Sequence, residues 1–398
     1  MLTEKQLQKY ADVLLWGLKT ARTGKEKKND IILIRYSLPA IRLAEILQKK
    51  ILETGRNPVL RSGMTPVMEK QFYKISNTPQ LVFQPPGEKD LYRNINGSIF
   101  LHAPESITHL SDVDPARIGR TAVARKNLKE ILDKRESFGD FGWTLCVFPT
   151  SELARHAGLT LEDYSKQIAR ACFIDRKDPV SLWQDVYKKA TYIKKRLNNI
   201  KINKFHIESE NIDLEITPGE KRRWIGISGH NIPSFELFMS PDWRGTNGIY
   251  YADQPSYRTG NYVKGVRLEF KNGTVVNAKA EEGEAFLKKQ LLMDKGASRL
   301  GEFSLTDKNF SKINRFMANT LFDENYGGKY GNCHVALGSS YADTYDGNQR
   351  TLTKERKEKL GFNDSALHWD IVNTEKKRVT AHLASGITMV IYENGKFV

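Results

Sequence analysis

The chain has 398 residues, 39% hydrophobic and 27% charged, the composition of an ordinary soluble globular protein, for which two domains is the expectation. Three cysteines, Cys146, Cys172 and Cys333, form no CxxC pair, which excludes a disulfide framework and a thiolate zinc site and points to a reducing, cytoplasmic setting. No stretch approaches the roughly 18 apolar residues needed to span a bilayer, and the short apolar run Val13-Leu14-Leu15-Trp16 is no secretory signal. The net charge of +15 is uneven: the first 200 residues hold 34 basic against 22 acidic residues, the remainder 28 against 25. The lysines are scattered along helical patterns without interleaved aromatics, so a solvated basic surface is the expected reading and a nucleic-acid partner is not.

In the first half, strand and helix signals alternate. Residues 31–36 read as a buried strand. Ile41, Leu43, Ile46, Leu47 and Ile51 then follow at helical spacing, and a Gly-Arg-Asn-Pro break leads to Val59-Leu60. This is a βαβ unit, which predicts a parallel sheet. Further strands are expected at 97–102 and 143–148, and helices at 114–136, 160–172 and 179–198. Neither a GxGxxG nor a GxxxxGK[ST] phosphate loop follows these strands, which weighs against nucleotide binding.

Beyond residue 200 the pattern turns to period two, at 204–216, 224–228, 248–252 and 266–270. A Lys271-Asn272-Gly273 turn then leads into 274–278. Helices are expected at 281–294 and 308–320. Strands are expected at 334–337, 366–372 and 379–382, with a terminal hairpin over Glu393-Asn394-Gly395. The fold expected is an α/β N-terminal domain with a largely parallel sheet over 1–200, followed by an α+β mixed-sheet catalytic domain over 201–398.

The chemistry concentrates in the second half. His368 and Asp370 share one face of a strand, roughly 7 Å apart along it. Taken alone, such a pair is more often a satisfied core histidine and its partner. His334 opens another apolar strand, while Glu236 and Glu302 are lone carboxylates in apolar segments and Glu324 ends a helix. Buried carboxylates are costly unless paired or bound to a cation. Three glutamates, two histidines and an aspartate offer too much anionic oxygen for one structural zinc, but suit two divalent Zn, Co or Mn ions of a cocatalytic hydrolase.

At these residues the chain resembles the aminopeptidase T / aminopeptidase S family of dinuclear metallopeptidases, the M29 peptidases. That family carries, in order, Pro-x-Gly-Glu-x-Phe-x-x-Pro, Gly-Glu-Phe/Leu-x-Leu, Leu-Phe-Asp-Glu-Lys, His-x-Ala-Leu-Gly with a downstream tyrosine, and Ser-x-x-His-x-Asp. The corresponding segments here are Pro233–Pro241, Gly301–Leu305, Leu321–Asn325, His334–Gly338 with Tyr341, and Ser365–Asp370. Phe235 stands where the pattern has glycine, and the interval from Glu324 to His334 is lengthened by a Gly/Tyr-rich stretch. The resemblance implies Glu236, Glu302, Glu324, His334, His368 and Asp370 as ligands of two divalent metal ions per chain, with Glu302 bridging. It also implies Tyr341 as the catalytic tyrosine, donating a hydrogen bond to the developing oxyanion; read without it, Tyr341 is loop packing. The implied activity is release of N-terminal residues from short peptides through a water activated by the two metals, in a homodimer that encloses its active sites. Readings from other classes are a two-metal phosphoesterase or nuclease, and a non-catalytic member of the same fold.

Overall fold

The apolar run Ile31–Tyr36 is a strand at the heart of a five-stranded sheet. Its neighbours are Asn57–Ser62 on one side and Gly97–His102 on the other, followed by Gly142–Val147 and the two-residue strand Asn231–Ile232, every pairing parallel. Leu33, Ile34, Ile99, Leu101 and Cys146 are buried in it, as parallel strands covered on both faces require. The structure, a computed structural model, describes residues 1–258 and 260–398. Its chain divides into two compact units, Met1–Trp183 with Ser228–Pro233, and Gln184–Ile227 with Ser234–Val398.

In the first unit, helix Glu4–Ala21 opens on a capping box between Thr3 and Gln6 and buries Leu7, Tyr10, Val13, Leu14 and Leu18. It packs closely because Gly17 has no side chain: a Cβ there would meet the Gly229 carbonyl oxygen at 2.8 Å and Thr144 Oγ1 at 3.0 Å. The expected helix over 114–136 is two helices, Pro115–Ala124 and Lys126–Ser137. Leu161–Ala171 forms as expected, as does Pro179–Asn198, whose residues from Gln184 onward belong to the second unit.

The second unit holds two antiparallel sheets and a small hairpin. One sheet has eight strands in the order Thr274–Lys279, Val266–Lys271, Asn247–Ala252, Asp213–Ile216, Ile202–Glu208, Arg378–Leu383, Thr388–Glu393 and Lys396–Phe397. Asn272 and Gly273, both at positive φ, make the tight turn read from the sequence. The other sheet has four strands in the order His368–Asn373, Asn332–Gly338, Leu300–Thr306 and Glu236–Met239. Its apolar face carries Phe303, whose ring lies 5.5 Å from that of Phe205 and 5.6 Å from that of Trp224.

Two expected elements do not form. Residues 224–228 contribute only an isolated bridge, Ile225 to Phe238. The helix expected over 308–320 is irregular, and only Thr320–Asp323 is helical. Local side chains draw the backbone away from the helical ladder. The Asp323 carboxylate accepts the Met317 and Asn319 amides, Ser311 Oγ accepts the Ile313 amide, and Ala318 is held at positive φ.

Candidate metal centre

The register of the four-stranded sheet collects the predicted residues on one face. Thr306 pairs with Glu236, Ser304 with His334, Glu302 with Ala336, Ala336 with Asp370, and Gly338 with His368. Directly paired residues project to the same side, so Glu236, Glu302, His334, His368 and Asp370 rise together. Leu237, Leu305, Val335, Leu337 and Ile371 take the opposite face and are buried in the core. A bulge at Gly301 sets this parity. Leu300 pairs with Leu337 while Glu302 pairs with Ala336, so the extra residue keeps Leu300 on the apolar face and turns Glu302 to the acids. A Cβ at Gly301 would lie 2.4 Å from the carbonyl oxygens of Gly338 and Ser339.

His334 is the hub. Its Nε2 stands 3.1 Å from Glu302 Oε1, 3.2 Å from Glu236 Oε2 and 3.8 Å from Asp370 Oδ1. His368 Nε2 lies 3.4 Å from Asp370 Oδ1 and 4.0 Å from Glu302 Oε2. The His368 Nδ1–H donates to the Ser339 carbonyl at 2.9 Å, which leaves Nε2 as the atom turned into the cluster. Ser304 Oγ donates to Glu236 Oε2 at 3.0 Å.

Two three-residue groups result: Glu236, Glu302 and His334, and Glu302, His368 and Asp370. In each, one donor atom per residue lies within 4.8 Å of the others. Glu302 belongs to both. Glu324 is buried and electrostatically coupled to Glu236, Asp370 and Glu302, but joins neither group. Tyr341 is 45% exposed and packs edge-on against His368, with ring centroids 4.6 Å apart.

The electrostatics are those of acids crowded together. Burial, reinforced by Glu302 and Asp370 and opposed by His334, pushes the Glu236 carboxyl up to about 8. Burial, then the carboxylates of Glu236, Asp370, Glu302 and Asp323, hold Glu324 well above the usual carboxylate range. Burial works against a charged imidazole at His334 and His368, yet the surrounding carboxylates prevail and raise both to about 9. Burial would raise Asp370, but the two histidines and Arg258 bring it down to about 2. Partial burial, then the four carboxylates, raises the Tyr341 phenol, so it remains a donor at neutral pH.

The donor set fits divalent first-row cations: nitrogen and anionic oxygen, with no thiolate. Among the described residues, buried Glu302 Oε2 finds no hydrogen-bond partner, a debt that a cation would settle. Glu236, Glu324 and the two imidazoles thus favour their protonated forms, and a divalent cation would displace those protons.

Three contributors have no catalytic motif of their own. Ser304 was within reach of sequence reasoning, since alternation in Gly-Glu-Phe-Ser-Leu puts it on the face of Glu302. Arg258 donates to the His368 carbonyl at 2.8 Å from the short strand Ser256–Arg258, and Asn325, just past the helix Thr320–Asp323, contacts Glu324; neither segment is long enough to carry a periodic signal.

One buried face thus carries acid and imidazole groups around a shared carboxylate, a donor set that suits divalent cations. The model of the thermophilic metalloprotease (M29) family matches residues 3–397, and the chain belongs to that family. It is 29% identical over 395 residues to Aminopeptidase 2 of Geobacillus stearothermophilus, an alignment spanning 93% of this chain and 92% of that protein. It is 28% identical over 316 residues to Aminopeptidase T of Thermus aquaticus, 73% of each chain. The fold matches wild-type AmpT from Thermus thermophilus with a TM-score of 0.79 at 21% identity, over 98% of this chain and 99% of that one. The phosphoesterase and non-catalytic readings are not favoured by this membership.

Proposed function

We propose that the chain is a metal-dependent aminopeptidase that removes N-terminal residues from short peptides, with Glu236 and His334 holding one divalent ion, His368 and Asp370 a second, and Glu302 both. The observation that carries this reading is the pair of donor groups sharing Glu302. The aminopeptidase relatives supply the reaction. Bound cations of the Zn, Co or Mn kind supply Lewis-acid polarisation of the scissile carbonyl and a more acidic water.

The chain's own residues then divide the work. His368, its Nδ1–H fixed on Ser339, presents Nε2 in one orientation, and Ser304 does the same for Glu236. Glu324, whose carboxyl feels Glu236 and Asp370, is read as the sixth ligand that the resemblance implies. The Tyr341 hydroxyl, protonated and edge-on to His368, donates to the oxyanion as it develops, a contact strongest in the transition state. A cytoplasmic setting accords with three free, buried cysteines. A homodimer follows from the resemblance and is checked by light scattering, where a monomer at working concentration refutes it.

The purified protein is expected to release amino acids from aminoacyl-nitroanilides, to lose this on chelation, and to regain it with Co or Zn. Glu302→Ala, which takes a ligand from both groups, is expected to cost more than the roughly 100-fold at the top of the range for outer-shell partners. Undiminished turnover in Glu302→Ala rejects the bridge, and activity indifferent to chelation rejects the metal.

A further inference from the structure

Asn325 is fully buried, and its amide is committed at both ends. The side-chain oxygen accepts the backbone N–H of Phe235. The nitrogen donates to the Leu321 carbonyl at 2.9 Å and reaches Glu324 Oε1 at 3.4 Å. Phe235 immediately precedes Glu236, whose carboxylate meets His334 at 3.2 Å. One side chain thus ties down the entry to the Glu236 strand and, on its other side, the carboxyl of Glu324.

Both ends of the main bond depart from the family pattern quoted above, which has glycine at 235 and lysine at 325. A lysine ammonium at 325 would offer no acceptor for the Phe235 N–H.

We infer that Asn325 is a positioning residue for the metal centre, setting Glu236 and Glu324 together without itself acting as a ligand. The inference rests on the metal-dependent reading and deepens it. Loss of the amide releases both acids, and an outer-shell partner of this kind is worth about 10–100-fold in metal affinity.

The test is equilibrium dialysis of wild type, N325L, N325D and N198L against zinc and against cobalt, with the visible spectrum of the cobalt forms and the thermal midpoint of each. Asn198 pins the backbone of Trp224, whose ring packs on Phe303 on the face of the sheet opposite the acids, so N198L reports the stability cost of losing a structural asparagine. N325L is expected to weaken both ions about 10–100-fold and to alter the cobalt band, whereas N198L loses stability with affinity unchanged.

N325D keeps an acceptor for Phe235 but turns a second oxygen on Glu324 and on the Leu321 carbonyl. It too is expected to bind more weakly, although an added charge alone would tighten a cation. Unchanged affinity in N325L, or tighter binding in N325D, overturns the inference; should N325L not fold, N325D decides it. Wild-type protein that takes up neither ion overturns the metal-dependent reading itself, an outcome distinct from an insensitive position 325 in a loaded wild type.

Discussion

Two buried sheets in this chain use their interior in opposite ways. In the parallel sheet, the strands Ile31–Tyr36 and Gly97–His102 fill the inside with Ile32, Leu33, Ile34, Ile99 and Leu101. In the four-stranded sheet, every residue of Leu300–Thr306 and Asn332–Gly338 is buried, yet Glu302, Ser304 and His334 are among them. The first sheet is stabilised by what it removes from water. The second buries carboxylates at a cost that only neighbouring protons, imidazoles or a cation offset. Equal burial therefore says nothing about purpose until the chemistry of the buried atoms is counted.

That contrast can be broken from either side. Ile99→Ala in the parallel sheet opens a cavity and is expected to cost about 2–5 kcal/mol of stability. Denaturant titration measures it, and kcat of the folded fraction should not move; an altered kcat would mean that the two sheets are not independent in function. Tyr341→Phe is the converse: about 10²–10³-fold off kcat with KM, metal content and thermal midpoint nearly unchanged, the loss expected of one oxyanion donor. A change confined to KM would return Tyr341 to the role of a packing residue.

The smallest effect concerns Lys377, which burial pushes down to about 8 against the partial support of Cys333, Asp253 and Glu375. Its folded-state pKa lies below the unfolded value, so the folded state binds fewer protons between about pH 8 and 10. Stability contributed by this group therefore rises across that window, and the cost of burying the ammonium is fully present below it. Lys377→Met is expected to flatten that rise and to gain roughly 1–3 kcal/mol at pH 7. An equally steep rise in the variant would place its origin elsewhere.

How much of this was legible in sequence follows from which signals are local. The parallel strands were, because covered strands read as short apolar runs and Ile41 to Ile51 mark the crossover helix. The helices Pro66–Ile75 and Glu88–Asn94 were not read, since they bury one residue or none, and Glu4–Ala21 was passed over although Leu7, Tyr10, Leu14 and Leu18 stand at helical spacing. The 308–320 segment misled because its apolar spacing is helical while Ser311 and Asp323 capture its amides. The five sheet-borne site residues stood out as acids and imidazoles in apolar company. Their convergence depends on pairing between strands up to about 70 residues apart, as between Glu236 and Thr306, which no local pattern carries. Asn325 had no signal at all, because its importance lies in the Phe235 amide 90 residues away.

The central strand of the acidic face has one more consequence. Where its neighbours contribute Glu302, Asp370 and His368, it contributes a methyl group at Ala336 and bare backbone at Gly338. Small size is thus encoded as directly as charge: a larger residue at Ala336 would rise between Glu302 and Asp370, while Gly338, at positive φ, has no room for a side chain, since a Cβ there would meet the Leu367 carbonyl oxygen at 2.1 Å.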